Sequence, residues 1–557
     1  MREGESTKPR SIAQVTSDLE ISRPELAALL GVILSFSVAV IHALTQRWFP
    51  ASDEALMELL VRGVPSDVPL VGVYSRMGWH HAGPAQLMLL ALPYRLLGSF
   101  SSVLSAVMLL VHLGAITLVW LAVRRIDRLT ALMLVVGMQL AALSVAATDL
   151  RMIWNPYVAI LGLGALVVVA WSAAERQPIG AVALLPLGSL LVQSHLAAAP
   201  VAAAVTIAAG AAMFLRFRPS PEEADSPTPH IPLKAWGVGI GVTVALWIPP
   251  LVDQVSGSGN LGKIFANQGN QGPKVGTIGS AQALFDSFSL PAPWMHPLLG
   301  VQGLAAQHLR IPFLLLLPIA GLLVAMRRRD APMLRGIGIS LAAILGAGLA
   351  SAIMQWPLYE YLIIGQRGLA AVTVALALGT IFRGLPAGAN RSVILGVTAA
   401  VSLCLSSILV VSQLNSSVPT PAYQSSLHDF TNAVITDLAA DSGSLGRPTQ
   451  VEVSSQVGIE TMAAYPGLLL QLDRAGMTTV DGGSWMMPEG PWANPKVDVQ
   501  YAVVTPEVAQ ALNVLGWRTI ATHRLTMPSQ RGNGDQSQAE GTALAVIAHT
   551  PEQLQGN

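Results

Sequence analysis

The sequence predicts a polytopic α-helical membrane protein that ends in a soluble α/β domain. Three observations carry that expectation. Only 11% of the 557 residues are charged and 52% are hydrophobic, whereas a soluble globular protein carries about 25% charged residues. Apolar runs of bilayer-crossing length, roughly 20 residues, recur up to residue 412. Beyond residue 417 the composition turns polar and mixed. The formal net charge is zero, so no basic field points to a nucleic-acid partner. The single cysteine, Cys404, sits inside an apolar run as a small packing residue and supports neither a disulfide framework nor a thiolate metal site.

A polar tail, residues 1–24, precedes the first apolar run. That run is too long for the apolar part of a signal peptide, so it reads as an anchor that stays. Spans are expected near 25–46, 101–123, 129–148, 154–174, 179–195, 197–215, 232–250, 310–326, 334–354, 366–385 and 391–412, about eleven in all. Arg124, Arg125, Arg128 and the Arg327-Arg328-Arg329 cluster fall in loops on the side of the N-terminus. Lys and Arg concentrate in cytoplasmic loops, which places the N-terminus inside and the C-terminal tail outside. The stretch "GPAQLMLLALPYRLLG" (83–98) is short for a span and bounded by helix breakers, so it reads as a helix lying in the outer interface. The resulting plan is a cytoplasmic tail (1–24), a membrane domain (25–412) with large outer loops at 47–100 and 251–309, and an extracytoplasmic soluble domain (413–557).

Within that last domain, "TQVEVSS", "DVQYAVVT" and "TALAVIAH" read as strands. They alternate with the helical stretches "SSLHDFTNAVITDLAA" and "GIETMAAYPGLLLQLDRAG". The alternation predicts a small α/β unit.

Polar residues near the membrane are costly unless they have a task, and here they collect on the outer side. Asp53 and Glu54 follow the first span in "ASDEALMELLVRG". Ser52 with two acids in the first turn fits an ordinary capped helix start; one acid can equally serve as a general base or metal ligand. "YSRMGWHHAGPAQ" gathers Arg76, Trp79, His80 and His81, either as an interfacial loop or as phosphate and sugar contacts. "TDLRMIWNPY" holds Asp149 and Arg151. They either neutralise each other at a helix end, or Asp149 joins Asp53 at a metal while Arg151 grips a phosphate bidentately. His195 lies in "LVQSHLAAAP", and Tyr359, Glu360, Tyr361 and Arg367 lie in "WPLYEYLIIGQRG". The inner loops offer little beyond Arg and Lys. No Walker or dinucleotide motif is present. Chemistry on the outer face therefore calls for a substrate that arrives through the membrane. A lipid-linked, phosphate-activated donor meets that need, with a carboxylate to take the proton of the acceptor hydroxyl and cations to favour the leaving phosphate.

These residues at these topological places resemble the GT-C superfamily of integral membrane glycosyltransferases, in particular the bacterial branch of protein mannosyltransferases and the lipid A aminoarabinose transferase. In that family the first outer loop opens with an acidic residue or pair, which Asp53-Glu54 match. "HHAGPAQLMLLALPYRLLG" is similar to the family's His-Pro-Pro-Leu-x-Tyr region and following turn, through His81, Pro84 and "LLG", with Ala82-Gly83 where the family has its first Pro. "DLRMIWNP" resembles its second-loop Arg/Asp cluster. The resemblance implies an inverting glycosyltransferase of the plasma membrane. It would move a sugar from a polyprenyl-phosphate donor to an envelope glycan, lipid or protein. Asp53 and Glu54 would be catalytic, and Asp53 and Asp149 would hold the divalent cation (Mg, Mn or Ca) that some members need. Arg76, His80, His81, Arg151, His195, Glu360 and Arg367 would bind donor phosphate or substrate. Two other classes stay open. A transporter or flippase would need charges facing each other in mid-membrane, where the spans hold little beyond His42 and His112. A non-catalytic envelope protein could bind glycan through Trp485 and Trp492.

Overall fold

The computed structural model describes residues 21–75, 78–215, 230–267, 272–295, 304–305, 308–385, 391–441, 450–455, 459–481, 499–525 and 543–549. Every apolar run marked in the sequence forms a helix. Eight helices are long and apolar enough to cross a membrane: Arg23–Thr45 (α1), Ser101–Val123 (α4), Asn155–Ala174, Leu196–Leu215, Leu233–Ser256 (α9), Ala331–Ile353 (α13), Gly365–Arg383 (α14) and Arg391–Leu414 (α15). Three shorter apolar helices, Arg128–Leu143 (α5), Pro178–Ser194 (α7) and Phe313–Arg327, complete the set. The α-helical parts of Asn155–Ala174, Leu196–Leu215 and Phe313–Arg327 are Ala159–Ala174 (α6), Ala199–Leu215 (α8) and Leu316–Arg327 (α12).

Helix α6 is surrounded on all sides. It packs against α14 through glycines. A Cβ on Gly368 would meet the Ile160 carbonyl at 2.3 Å, and one on Gly365 would meet that of Ala159 at 2.9 Å. Small residues let the two backbones touch, which is how helices associate without a hydrophobic drive between them. Cys404 is not a packing residue: it is exposed on α15, because that helix turns only one stripe, including Thr398, Ser402 and Ser406, to its neighbours.

The loops gather at two ends of the bundle. At the Arg-rich end, Arg383 bridges Asp127 (3.3 Å) and Asp330 (2.7 Å), and Arg335 grips Glu175 through two bonds of 2.5 and 2.9 Å. At the other end lie the short helices Ser52–Gly63 (α2) and Ala85–Leu96 (α3), the hairpin Tyr74–Ser75 (β1) with Trp79–His80 (β2), and the helices Asn260–Asn267 (α10) and Gly276–Asp286 (α11). Helix α3 falls within the stretch expected at the interface and leaves Leu89, Leu92 and Leu96 exposed.

The C-terminal residues form the α/β unit. Its sheet has five strands: Gln450–Ser455 (β3), Thr478–Asp481 (β4), Val499–Val504 (β5), Arg518–Arg524 (β6) and Ala543–His549 (β7), in the order β4-β3-β5-β7-β6. The pairs β3/β4 and β3/β5 are parallel, and β7 is antiparallel to both β5 and β6. Helices Gln424–Asp441 (α16) and Ile459–Arg474 (α17) cover one face, and Pro506–Asn513 (α18) the other. Strands β4 and β6 were not marked in the sequence: β4 is too short for an alternation to show, and β6 is largely exposed. Trp485 and Trp492 lie outside the described residues.

Helix α2 joins the two parts. Ala51, Ala55 and Leu59 belong to the core of the C-terminal unit, with Phe430 and Leu468. Met57 and Val61 belong to the core of the membrane domain. Between those faces Glu58, fully buried, accepts from the Tyr94 hydroxyl at 2.7 Å and from Arg474. Arg62 pairs with Asp473 at 2.6 Å. Phe49 and Gln424 exchange two backbone–amide bonds of 2.8 Å. Glu58→Ala would strand Arg474 and Tyr94 at this junction. Its expected cost is about 3 kcal/mol, read as a lowered thermal midpoint in detergent; an unchanged midpoint would mean the junction does not depend on the carboxylate.

Candidate active site

Asp53 and Glu54 stand in the first turn of α2, where the helix dipole favours acids. The expected Ser52 cap is absent. Ala51 is the cap residue, no side chain caps the helix, and Ser52 has φ of 54°. The cause is tertiary: Ala51 is drawn fully into the C-terminal core, and the chain must turn sharply at Ser52 to enter α2.

Asp53 lines a cavity of about 960 Å³. Burial lifts its proton affinity to about 6, opposed by a hydrogen bond from Trp154. Glu54 is buried behind it. Burial first, then the charges of Asp53 and Asp149, push Glu54 up to about 8. Asp149 is raised to about 7 by burial, against a bond from the Ala146 amide (3.2 Å) and the nearby Arg367 charge. All three acids are raised, and Asp53 is the least raised of them, so it is the first to ionise as the pH climbs. Trp154 packs on Tyr361 at 4.6 Å and on Tyr157 at 5.6 Å, and Tyr361 stacks on Tyr359 at 5.8 Å. This aromatic run fixes the partner of Asp53.

The cavity is two-sided in character. Polar side chains on it include Arg62, Arg95, Lys274, His80, His81, His195, Asp253 and Asp473. Its apolar side is made by helix ends: Leu196 and Pro200 at the start of α8, and Ala350, Ile353 and Met354 at the end of α13. Helices α8 and α13 pack against each other along this side.

The sequence-marked residues part company here. Asp53, His80, His81 and His195 line the cavity. Arg76 lies outside the described residues. Arg151 and Arg367 are not among the lining residues, and both are engaged by groups of the protein. Arg151 is fully buried and gives its donors to Gln413 Oε1 (2.7 Å), the Gln413 carbonyl (2.8 Å) and Gln46 Oε1 (2.8 Å). Burial lowers it to about 10, so it stays charged while tying the loop to the ends of α1 and α15. Arg367 is held by Glu360 (3.0 Å) and the Ser144 carbonyl (2.7 Å). Glu360 is correspondingly engaged as a partner of Arg367, and burial raises it.

The cations that do line the cavity were not marked. Lys274 is exposed and shows no ion pair among the described residues. Arg62 and Arg95 are partly engaged, Arg95 with the Val64 carbonyl (2.8 Å) and the Arg62 carbonyl. Arg62 could have been found, since it closes the helix that Asp53 opens. Lys274 carries no local signal. Among the described residues no group of three or more His, Cys, Asp or Glu could hold a metal ion. Asp53 and Asp149 each act electrostatically on Glu54, the kind of crowded negative charge that a cation relieves.

No protein-family model matches the sequence, and no curated protein matches it. The fold matches the crystal structures of ArnT from Cupriavidus metallidurans, both bound to undecaprenyl phosphate and in the apo state. Each covers 93% of this chain and 97% of that one, with a TM-score of 0.52 at 13% identity. At that identity the likeness is one of fold.

Because Arg151 is an anchor, Arg151→Met is expected to cost about 3 kcal/mol of stability and to leave the affinity of the folded protein for undecaprenyl phosphate unchanged. Thermal unfolding and lipid-binding titrations in the same detergent check both halves. Lost affinity at unchanged stability would return Arg151 to the phosphate.

Proposed function

We propose that the chain is a membrane glycosyltransferase that moves a sugar from a polyprenyl-phosphate donor to an extracytoplasmic acceptor. The observation that supports this most is the composition of one cavity. An ionised acid, exposed or partly free cations and an apolar lip between two helix ends meet in the same space. A polyprenyl-phosphate sugar has the complementary parts: an apolar chain, a phosphate and a sugar.

In this reading the polyprenyl chain lies along Leu196, Pro200, Ala350 and Ile353. Lys274, aided by Arg62 and Arg95, faces the phosphate. An acceptor hydroxyl attacks the anomeric carbon. Asp53 takes its proton, the bond from the anomeric carbon to the phosphate oxygen breaks, and polyprenyl phosphate leaves with the electron pair. A single displacement of this kind inverts the anomeric centre. Glu54, kept protonated by burial and by its neighbours, donates a hydrogen bond where a second carboxylate would repel. Where a divalent cation (Mg, Mn or Ca) takes part, Asp53 and Asp149 would hold it, and it would add positive charge beside the leaving phosphate. The cavity end is taken as extracytoplasmic because Arg124, Arg125 and Arg327-Arg328-Arg329 lie at the other end. The eleven apolar helices would then all span the plasma membrane, and residues 413–557 would sit outside. The acceptor is an envelope glycan, lipid or protein.

Purified protein incubated with a panel of labelled polyprenyl-phosphate sugars and envelope extract tests the proposal. Wild type is expected to transfer one of them, and Asp53→Asn to lose about a hundredfold or more in kcat while staying folded. No transfer from any donor would sink the reading and bring transport assays forward. Since the base works ionised and its proton affinity is raised, kcat/KM should fall as the pH drops through about 6, a limb that disappears in Asp53→Asn. Lys274→Met should weaken binding of undecaprenyl phosphate about tenfold, measured by titration without turnover.

A further inference from the structure

The C-terminal unit places a charged side chain on the cavity. Asp473, in the last turn of α17, lines it together with Arg62 of α2. The two form an ion pair, Arg62 Nε to Asp473 Oδ2, at 2.6 Å. Neither is sealed: 22% of the Arg62 side chain and 30% of the Asp473 side chain are exposed. A ligand in the cavity can reach both.

The pair leaves hydrogen-bonding capacity unused. Arg62 donates from Nη1 to the Tyr94 hydroxyl over a long 3.4 Å, and its Nη2 has no hydrogen-bond partner among the described residues. A guanidinium offers five donors in a fork that suits two oxygens at once, so Arg62 can serve a second anion. Its counter-charge comes from the C-terminal unit alone. Glu58, one turn earlier on α2, is committed to Tyr94 and Arg474. The other cavity cations differ in this respect. Lys274 shows no ion pair among the described residues, and Arg95 donates to the Val64 and Arg62 carbonyls.

Charge on the substrate gives that difference a use. A polyprenyl-phosphate sugar is a phosphodiester with one negative charge. Transfer leaves a phosphate monoester, whose second ionisation falls near pH 6, so the product carries nearly two. Cations that hold the donor hold the product more tightly still. An ion pair that water reaches is weak, so Arg62 can lean toward a phosphate and be taken back.

We propose that Asp473 is a positioning residue of the site: it keeps Arg62 a shared, partly neutralised cation, so that the polyprenyl phosphate left by transfer is bound weakly enough to depart. This rests on the glycosyltransferase reading, in which Arg62 serves the phosphate, and gives the C-terminal unit a part in product release.

Full-length wild type, Asp473→Asn, Asp473→Glu, Arg62→Met and the double variant Asp473→Asn/Arg62→Met are titrated without turnover in detergent, after thermal unfolding has shown which are folded. The ligands are undecaprenyl phosphate and undecaprenol, the same chain without charge. Asp473→Asn is expected to bind undecaprenyl phosphate about threefold to fivefold more tightly, and Asp473→Glu as wild type does. The gain should vanish when the double variant is compared with Arg62→Met, and undecaprenol should bind alike throughout. Unchanged or weaker binding of undecaprenyl phosphate by Asp473→Asn would overturn the proposal. So would a gain that survives in the Arg62→Met background, an equal gain for undecaprenol, or a wild type that does not bind undecaprenyl phosphate. Should Asp473→Asn not fold, the single cation variants decide: Arg62→Met is expected to weaken binding less than Lys274→Met, and an equal or larger loss overturns the neutralised state of Arg62. Absence of sugar transfer by wild type tells against the glycosyltransferase reading alone, because none of these titrations uses a sugar.

Discussion

The constraint on which the rest depends is the sharing of α2 between two cores. A twelve-residue helix turns Ala51, Ala55 and Leu59 into the C-terminal unit and Met57 and Val61 into the membrane domain. Residues three and four apart share a helix face, so Asp53, Leu56 and Leu60 are left for a third face, which is the cavity. A short helix is marginal alone, and this one owes its position to tertiary packing on two sides. The C-terminal unit therefore acts on the site through contact: it sets where Asp53 points. The Glu58–Arg474 and Arg62–Asp473 pairs resist sliding of α2 along either surface, since a shift of one residue would bury one charge without its partner.

The broad plan was legible because it is written in local patterns. Eleven apolar runs become eleven helices, and three β-rich stretches become β3, β5 and β7. A run of twenty apolar residues has few other solutions. The site was legible only where one residue and its loop sufficed. Asp53, His80, His81 and His195 were placed on the cavity side by topology, and they line it. Arg151 and Arg367 were placed on the same side by the same logic, yet neither faces the cavity. Their partners decide this, and those partners come from afar: Gln413 is 262 positions from Arg151, and Ser144 is 223 from Arg367. An arginine at a helix end looks the same in sequence whether it holds a phosphate or a neighbouring carbonyl. Ser52 failed for a related reason, since the pull of the C-terminal core on Ala51 outweighs a cap whose worth is about 1 kcal/mol.

The acid cluster shows how one environment gives adjacent residues different chemistry. Asp53 and Glu54 follow one another, but helical geometry turns them about 100° apart. Asp53 meets the cavity and the Trp154 indole, which stabilises its charged form. Glu54 faces inward and meets burial and two other acids, all of which favour its neutral form. The separation is self-reinforcing: once Asp53 is ionised, its charge holds the proton on Glu54. In the proposed mechanism one member of the pair is then the base and the other a hydrogen-bond donor, the pattern by which paired carboxylates divide their labour.

The same reasoning extends across the cavity and explains why its polar groups are sorted. One cation on the cavity, Lys274, sits where solvent reaches it. Deeper, next to the apolar ends of α8 and α13, the polar groups are imidazoles stripped of charge. A full charge at that depth would need a partner of opposite sign, and the buried arginines nearby are already committed to carbonyls, amides or Glu360. In the proposed reading, the anion of the ligand lies toward Lys274 and its apolar chain toward the ends of α8 and α13. That sorting is compatible with the proposed donor, which joins a phosphate to an uncharged sugar in one molecule.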